Sequence, residues 1–191
     1  TKLLPCLIDM KWNGVRVDLE KAEKIKKDLQ RKEKTIMQQI KKETGVDVQI
    51  FAGTSIQKAF DKLNIPYERT ATGKPKFDKN FLLTHKHPVP KMIVDARETN
   101  KARTTFIDTI LRHSHKGRIH ANINQMRSDE GGGTVTGRFS YSNPNLQQVP
   151  ARNKEIGPLI RSVFIPNEGC TWGSFDYSQQ EPRVLVHYAA L

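Results

Sequence analysis

Hydrophobic positions recur along this chain with two different periods, and the change between them divides it. From Leu19 to Thr44, Ile25, Leu29, Ile36 and Ile40 fall on one stripe, which predicts an amphipathic helix. Asp18 ahead of it is a good N-cap, and Gly45 after it is a stop. Asn13-Gly14 reads as a turn and Val15 to Val17 as a short extended piece. A second helix carries Ile56, Ala59, Phe60 and Leu63 on its apolar side, capped by Thr54 or Ser55 and ended by Asn64-Ile65-Pro66. Residues 68–79 read as a polar, turn-rich loop, and Asp78 caps a brief helix through Leu83. A longer helix is predicted from Pro90 to His113, with Ile93, Ala96, Phe106, Ile107, Ile110 and Leu111 as packing residues.

After Lys116-Gly117 the period becomes two. Ile119, Ala121 and Ile123 alternate with polar residues from Arg118 to Met126, which predicts a strand. Ser128 to Gly133 reads as a flexible polar loop. Thr171 to Phe175 follows a Gly169 turn and reads as another strand. Val184, Leu185, His187, Tyr188 and Leu191 then recur at helical spacing. Ser178 and Glu181 fit a capping box, a hydroxyl at the N-cap and a carboxylate at N3, with Pro182 in the first turn, where a missing N–H costs least. Asp176 is thereby predicted at the mouth of a strand-to-helix turn. A carboxylate there serves either as a cap or as a metal ligand beside helix-start amides that attract phosphate.

Composition narrows the partners. Lys plus Arg outnumber Asp plus Glu by 32 to 20, a net +12, which points to a polyanion and first to nucleic acid. Much of that charge lies on the predicted long helix, at Lys21, Lys24, Lys26, Lys27, Arg31, Lys32, Lys34, Lys41 and Lys42, as either a solvated face or a phosphate-facing one. That helix lacks the Trp/Phe/Leu face of an interfacial anchor, and no apolar run is long enough to span a bilayer, so a membrane partner is not expected. Two cysteines, Cys6 and Cys170, without regular spacing fit a reducing compartment, and a cytoplasmic location follows. His85 with His87, and His113 with His115, lack further ligands and read as surface histidines. Gly131-Gly132-Gly133 is followed by no Gly-Lys-Ser/Thr and is not a P-loop. The start at Thr1 and the stop within an apolar run at Leu191 read as an excised piece.

Two blocks carry a resemblance. Asp176-Tyr177-Ser178-Gln179-Gln180-Glu181-Pro182-Arg183 resembles motif A of the family A (Pol I-like) DNA polymerases, written DYSQxExR, in a form similar to the phage branch. Upstream, Thr136-Gly137-Arg138-Phe139-Ser140 and Asn143-Pro144-Asn145-Leu146-Gln147-Gln148-Val149-Pro150 resemble a second block of that family, in the same order and spacing. Arg161-Ser162-Val163-Phe164-Ile165-Pro166 is similar to its connecting strand. The resemblance implies an α+β fold: a helical thumb over residues 1–116, then a partial antiparallel palm sheet over residues 117–191 that ends in the motif A strand and helix.

It also implies roles. Asp176 would be the catalytic, metal-bridging carboxylate and the Tyr177 carbonyl a second ligand of Mg²⁺, in a centre of two ions about 3.5–4 Å apart. Ser178 and Gln179 would lie beside the triphosphate of a deoxynucleotide, and Glu181 would exclude a ribose 2′-hydroxyl. Arg138 would enter the minor groove, where correct base pairs share acceptors. Asn145, Gln147 and Gln148 would contact sugars and base edges, and Lys101, Arg103 and Thr104 the duplex backbone. Arg183 fits a salt bridge equally well. The partners implied are primer-template DNA and deoxynucleoside triphosphates. A second carboxylate, from the family's motif C, and the fingers helix have no counterpart among these residues. The chain alone is therefore expected to be an incompetent polymerase, either completed by a second polypeptide or excised from a larger enzyme, with a non-catalytic duplex-binding module as the alternative.

Overall fold

In the computed structural model, residues 2–127, 133–151 and 153–190 are described. The chain opens with a helix the hydrophobic pattern does not announce, α1 (Leu3–Asn13). Its Pro5 lies in the first turn, where no backbone bond is lost, and only Leu7 is buried, so no apolar stripe marks it. Gly14, at φ 59°, turns the chain so closely past Ile119 that a Cβ there would meet the carbonyl oxygen of that residue at 2.5 Å. Strand β1 (Val15–Arg16) follows, then α2 (Leu19–Thr44) as predicted. The Asp18 carboxylate accepts from the Lys21 amide at 2.9 Å, and Gly45 closes the helix in the left-handed conformation.

Helix α3 (Gly53–Lys62) is capped by neither Thr54 nor Ser55, which fall inside its first turn. The Ser55 hydroxyl accepts instead from the Gln49 amide, so it serves the turn before the helix. The loop expected over 68–79 contains an antiparallel hairpin, β2 (Glu68–Arg69) with β3 (Pro75–Lys76). Asp78 caps α4 (Lys79–Thr84) through the Phe81 amide. His87 begins α5 (Pro88–Lys101) by accepting from the Val89 amide at 3.2 Å, while the His85 ring lies edge-on to Phe60 and Phe81. His85 is thus a packing residue and His87 a cap.

The helix expected to run to His113 is continuous, but Ala102–Ile107 is π-helical before α6 (Asp108–His113) resumes. Strands β4 (Ser114–His115) and β5 (Arg118–Ile119) form a hairpin, and β5 also pairs antiparallel with β1. The single strand expected over 118–126 breaks at His120, whose Nδ1 lies 2.9 Å from the Lys11 carbonyl oxygen. It resumes as β6 (Asn122–Asn124), paired antiparallel with β7 (Ser140–Ser142). The polar loop read over Ser128–Gly133 lies, except for Gly133, outside the described residues. A 3₁₀ turn (Leu146–Gln148), α7 (Ile156–Arg161) and α8 (Gln180–Ala189) complete the chain. Residues 162–166 run beside β1, with the Asp18 amide donating to the Val163 carbonyl and the Ile165 amide to that of Arg16.

The architecture is α+β, helices with small antiparallel sheets, around two clusters of buried side chains. One gathers Ile40, Phe60, Phe77, Leu82 and Ile93 at the tip. The other gathers Val17, Ile25, Leu29, Ile107, Ile119, Ile160 and Val163 at the base. Helix α2 threads both, its N-terminal half in the base and Ile40 in the tip.

The candidate nucleotide and metal cleft

The site is built from the 3₁₀ and β7 region and from the start of α8. Asn124 donates to the hydroxyls of Ser140 and Ser142, fixing β7 against β6. The Asn145 side chain accepts from the Gln147 amide and so shapes the 3₁₀ turn, and Gln147 in turn donates to the Phe139 carbonyl at 3.0 Å. Thr134 donates its hydroxyl to the Arg138 carbonyl. These bonds hold Arg138 at the rim of an open cleft of about 1000 Å³, whose other wall is Asp176, Tyr177, Gln179 and Glu181.

Two local expectations fail here. Residues 171–177 form no ladder with another strand among the described residues. An extended segment becomes a strand only when its backbone groups find a neighbour, and Trp172, Phe175 and Tyr177 all stand exposed. The Ser178–Glu181 capping box does not form either. Gln179, not Ser178, occupies the N-cap, in the left-handed conformation and without a side-chain bond. The Glu181 carboxylate pairs instead with the Arg138 guanidinium. With Ser178 outside the N-cap position, the reciprocal box has no hydroxyl to complete it, and the carboxylate is left to cross the cleft. Pro182 does lie in the first turn, as its missing N–H requires.

The structure therefore brings Asp176, Tyr177, Gln179, Glu181, Arg138 and Gln147 into one cleft, and it divides the remaining candidates. Ser178 is in the turn but not on the cleft wall. Asn145 and Gln148 line a smaller pocket of about 190 Å³ beside Thr105 and Thr109 of the long helix. Lys101 is exposed on that helix, and Thr104 donates its hydroxyl to the Asn100 carbonyl. Arg103 turns inward, with Nε and Nη2 at 3.3 and 3.2 Å from Glu33 and Nη1 3.6 Å from Asp108. Asp108 also pairs with Lys26 at 2.9 Å, which raises the Lys26 pKa above its ordinary value. Tyr141 and Tyr188, which sequence reasoning did not single out, also line the cleft. Tyr141 stands between two serines and Tyr188 falls on the helical spacing of the last apolar run, and neither carries the mark of a site.

Asp176 and the Tyr177 carbonyl are hard oxygen donors of the kind Mg²⁺ prefers. Among the described residues no group of three His, Cys, Asp or Glu gathers, and Glu181, the other carboxylate of the cleft, is engaged by Arg138. The donors match Mg²⁺ in kind and fall short of a two-ion centre in number.

Residues 19–190 match the family model for DNA polymerase family A. The chain is 38% identical over 200 residues to a DNA-directed DNA polymerase of Pseudomonas phage M6, covering 100% of this chain and 30% of that protein. It is 33% identical over 188 residues to the thermostable DNA polymerase I of Thermus filiformis, covering 95% of this chain and 22% of that one. Among solved structures, the POL domain of Pol1 from M. smegmatis, in complex with DNA primer-template and dNTP, superposes with a TM-score of 0.73 at 28% identity. That match covers 85% of this chain and 28% of the other. The chain thus spans a third or less of the length of these relatives.

Proposed function

The chain belongs to DNA polymerase family A, and from that membership we propose that it is the portion of a template-directed DNA polymerase that grips primer-template DNA and offers one metal-binding carboxylate to an incoming deoxynucleoside triphosphate. The observation that carries this reading is the shared cleft of Asp176, Glu181 and Arg138, drawn from two blocks far apart in sequence. In this reading residues 1–116 act as the thumb and residues 117–191 as the first part of the palm.

Each wall has a chemistry. Arg138 donates to minor-groove acceptors that all correct base pairs share, and so tests pair geometry without reading sequence. To do so it leaves Glu181, whose carboxylate is then free to stand against the sugar of the nucleotide. Gln147, held by the Phe139 carbonyl, offers its remaining amide groups to the primer end. Asn145 and Gln148 act from the neighbouring pocket, and Lys101 with Thr104 from the long helix. Ser178 and Gln179 place the first amides of α8 toward the triphosphate. Mg²⁺, when bound at Asp176 and the Tyr177 carbonyl, supplies the charge that activates the 3′-hydroxyl and steadies the leaving pyrophosphate. A second carboxylate has to come from outside the described residues, from a further stretch of the same protein or from a second polypeptide, so these residues alone do not extend a primer. For a phage-encoded protein the setting is the host cytoplasm. The scarcity of carboxylates in the cleft also favours a second reading, a duplex-binding module without chemistry.

The test is extension of a labelled primer-template with Mg²⁺ and deoxynucleotides. The chain by itself should give none. Mixed with a fingers-and-palm fragment of a relative, it should extend, and Asp176→Ala should lower the rate by about 10²–10³, the scale for losing a group that stabilises transition-state charge. Extension by the chain alone that Asp176→Ala abolishes would place the second carboxylate within these residues and overturn the incompleteness. Duplex binding indifferent to Asp176→Ala, with no extension in any mixture, would leave only the binding module.

A further inference from the structure

The outer face of α2 carries a row of cations that the cleft does not use. At about 100° per residue, Lys24, Lys27, Arg31, Lys34 and Lys42 fall on one side of the helix. Ala22, Ile25, Leu29 and Ile40, all buried, fall on the other. Several α2 cations are neutralised: Lys26 by Asp108, Arg31 by Asp28, Lys32 by Glu155 and Lys41 by Asp47. Lys24, Lys27, Lys34 and Lys42 are exposed, and no carboxylate among the described residues pairs with them. On the inner side, Glu33 and Asp108 cancel Arg103. The uncompensated charge of α2 thus lies on the side away from its buried stripe.

We infer that this outer face of α2 is a second track for the phosphate backbone of duplex DNA, separate from the cleft and from the long-helix residues assigned to the polymerase reading. From Lys24 to Lys42 the row runs about 27 Å at 1.5 Å per residue, or about eight base-pair steps at 3.4 Å each. It contains no large apolar side chain, which removes the anchor that a membrane surface or a protein hot spot requires. Lysines on flexible stems act as point charges, suited to gripping phosphates without sequence preference. The net +12 of the chain supplies the long-range attraction.

The test is fluorescence anisotropy of the whole chain with a labelled duplex of about 20 base pairs, over about 50 to 200 mM salt. The variant K24Q/K27Q/K34Q/K42Q keeps good helix formers at each position. Its log–log salt slope should be shallower than that of the native chain by about 3–4, near 0.9 for each phosphate that a lysine no longer neutralises. Arg138→Gln, in the cleft, should change it by at most about 1. An unchanged slope in the fourfold variant, with unchanged helicity by circular dichroism, overturns the track. So does a native chain that binds no duplex at low salt. Polyglutamate that displaces the duplex at equal charge would reassign the face to an acidic protein. The complemented extension assay reports on Asp176 independently, so the track and the polymerase reading can fail separately.

Discussion

Glu181 can satisfy its carboxylate in two ways, by reaching back to the start of its own helix or by crossing the cleft to Arg138, and it takes the second. Both side chains remain mostly exposed, at 75% and 70%, so the pair is worth about 0–1 kcal/mol. A ligand that offers either partner something better can open it. Asp78 shows the opposite case, a carboxylate with a fixed local task. The Phe81 amide, donating at 2.8 Å, and then Lys76 at 3.3 Å hold its pKa below the usual carboxylate value. A lowered folded-state pKa means that the stabilisation is complete above the usual carboxylate range and is lost as pH falls through the lowered value. Asp78→Asn keeps an oxygen for the Phe81 amide and removes the titration. Acid unfolding followed by Tyr67 fluorescence should therefore show a shallower loss of tip stability in the variant. Identical acid profiles would mean that Asp78 contributes nothing to the acid dependence.

Among the elements, α5 is tied to two backbone carbonyls of the neighbouring segments by Arg97. Arg97 donates from Nε to the Ile50 carbonyl and from Nη1 to the Phe77 carbonyl, each at 2.6 Å, and so joins α5 to the segments before α3 and after β3. Burial pulls its pKa below the ordinary arginine value, and the two carbonyls compensate the charge. Arg97→Met should cost about 2 kcal/mol, the scale for bonds to a charged donor, read as a lower urea midpoint at unchanged slope. An unaltered midpoint would mean that water satisfies Ile50 and Phe77 equally well. What the sequence made legible follows the same division between local and distant partners. Helix α2 was readable because Asp18, its apolar stripe and Gly45 all act within the helix. Helix α1 was hidden because one residue, Leu7, is buried. The π-helical Ala102–Ile107 leaves the apolar spacing intact, and the Glu33 and Asp108 that hold its Arg103 lie on different elements. The cleft was legible only through its motif blocks. Asp176 has no local feature that sets it apart from a turn aspartate, and the inward turn of Arg103 depends on α2.

At the scale of the whole molecule, the two buried clusters raise the question of whether the chain folds as one unit or two. The tip is built from residues close in sequence, from Ile40 to Ala96, and centres on Phe60, fully buried and in ring contact with Tyr67, Phe77 and His85. The base combines α2, the π-helical stretch, β5 and α7, which are distant in sequence. Long loops must close before its side chains can pack, so it assembles at greater entropic cost than the tip. The physical link between them is α2 itself, whose backbone bonds run unbroken from Ala22 in the base to Ile40 in the tip. Phe60→Ala should destabilise the tip by about 3–5 kcal/mol through the missing ring and the cavity left behind. If the clusters are separate cooperative units, hydrogen exchange should accelerate from about Val46 to Ala96 while amides around Ile25, Ile119 and Val163 keep their protection. Equal acceleration at both ends would show that α2 transmits the loss and that the molecule opens as a single unit. In that case a ligand gripping the tip would stabilise the base that carries the cleft.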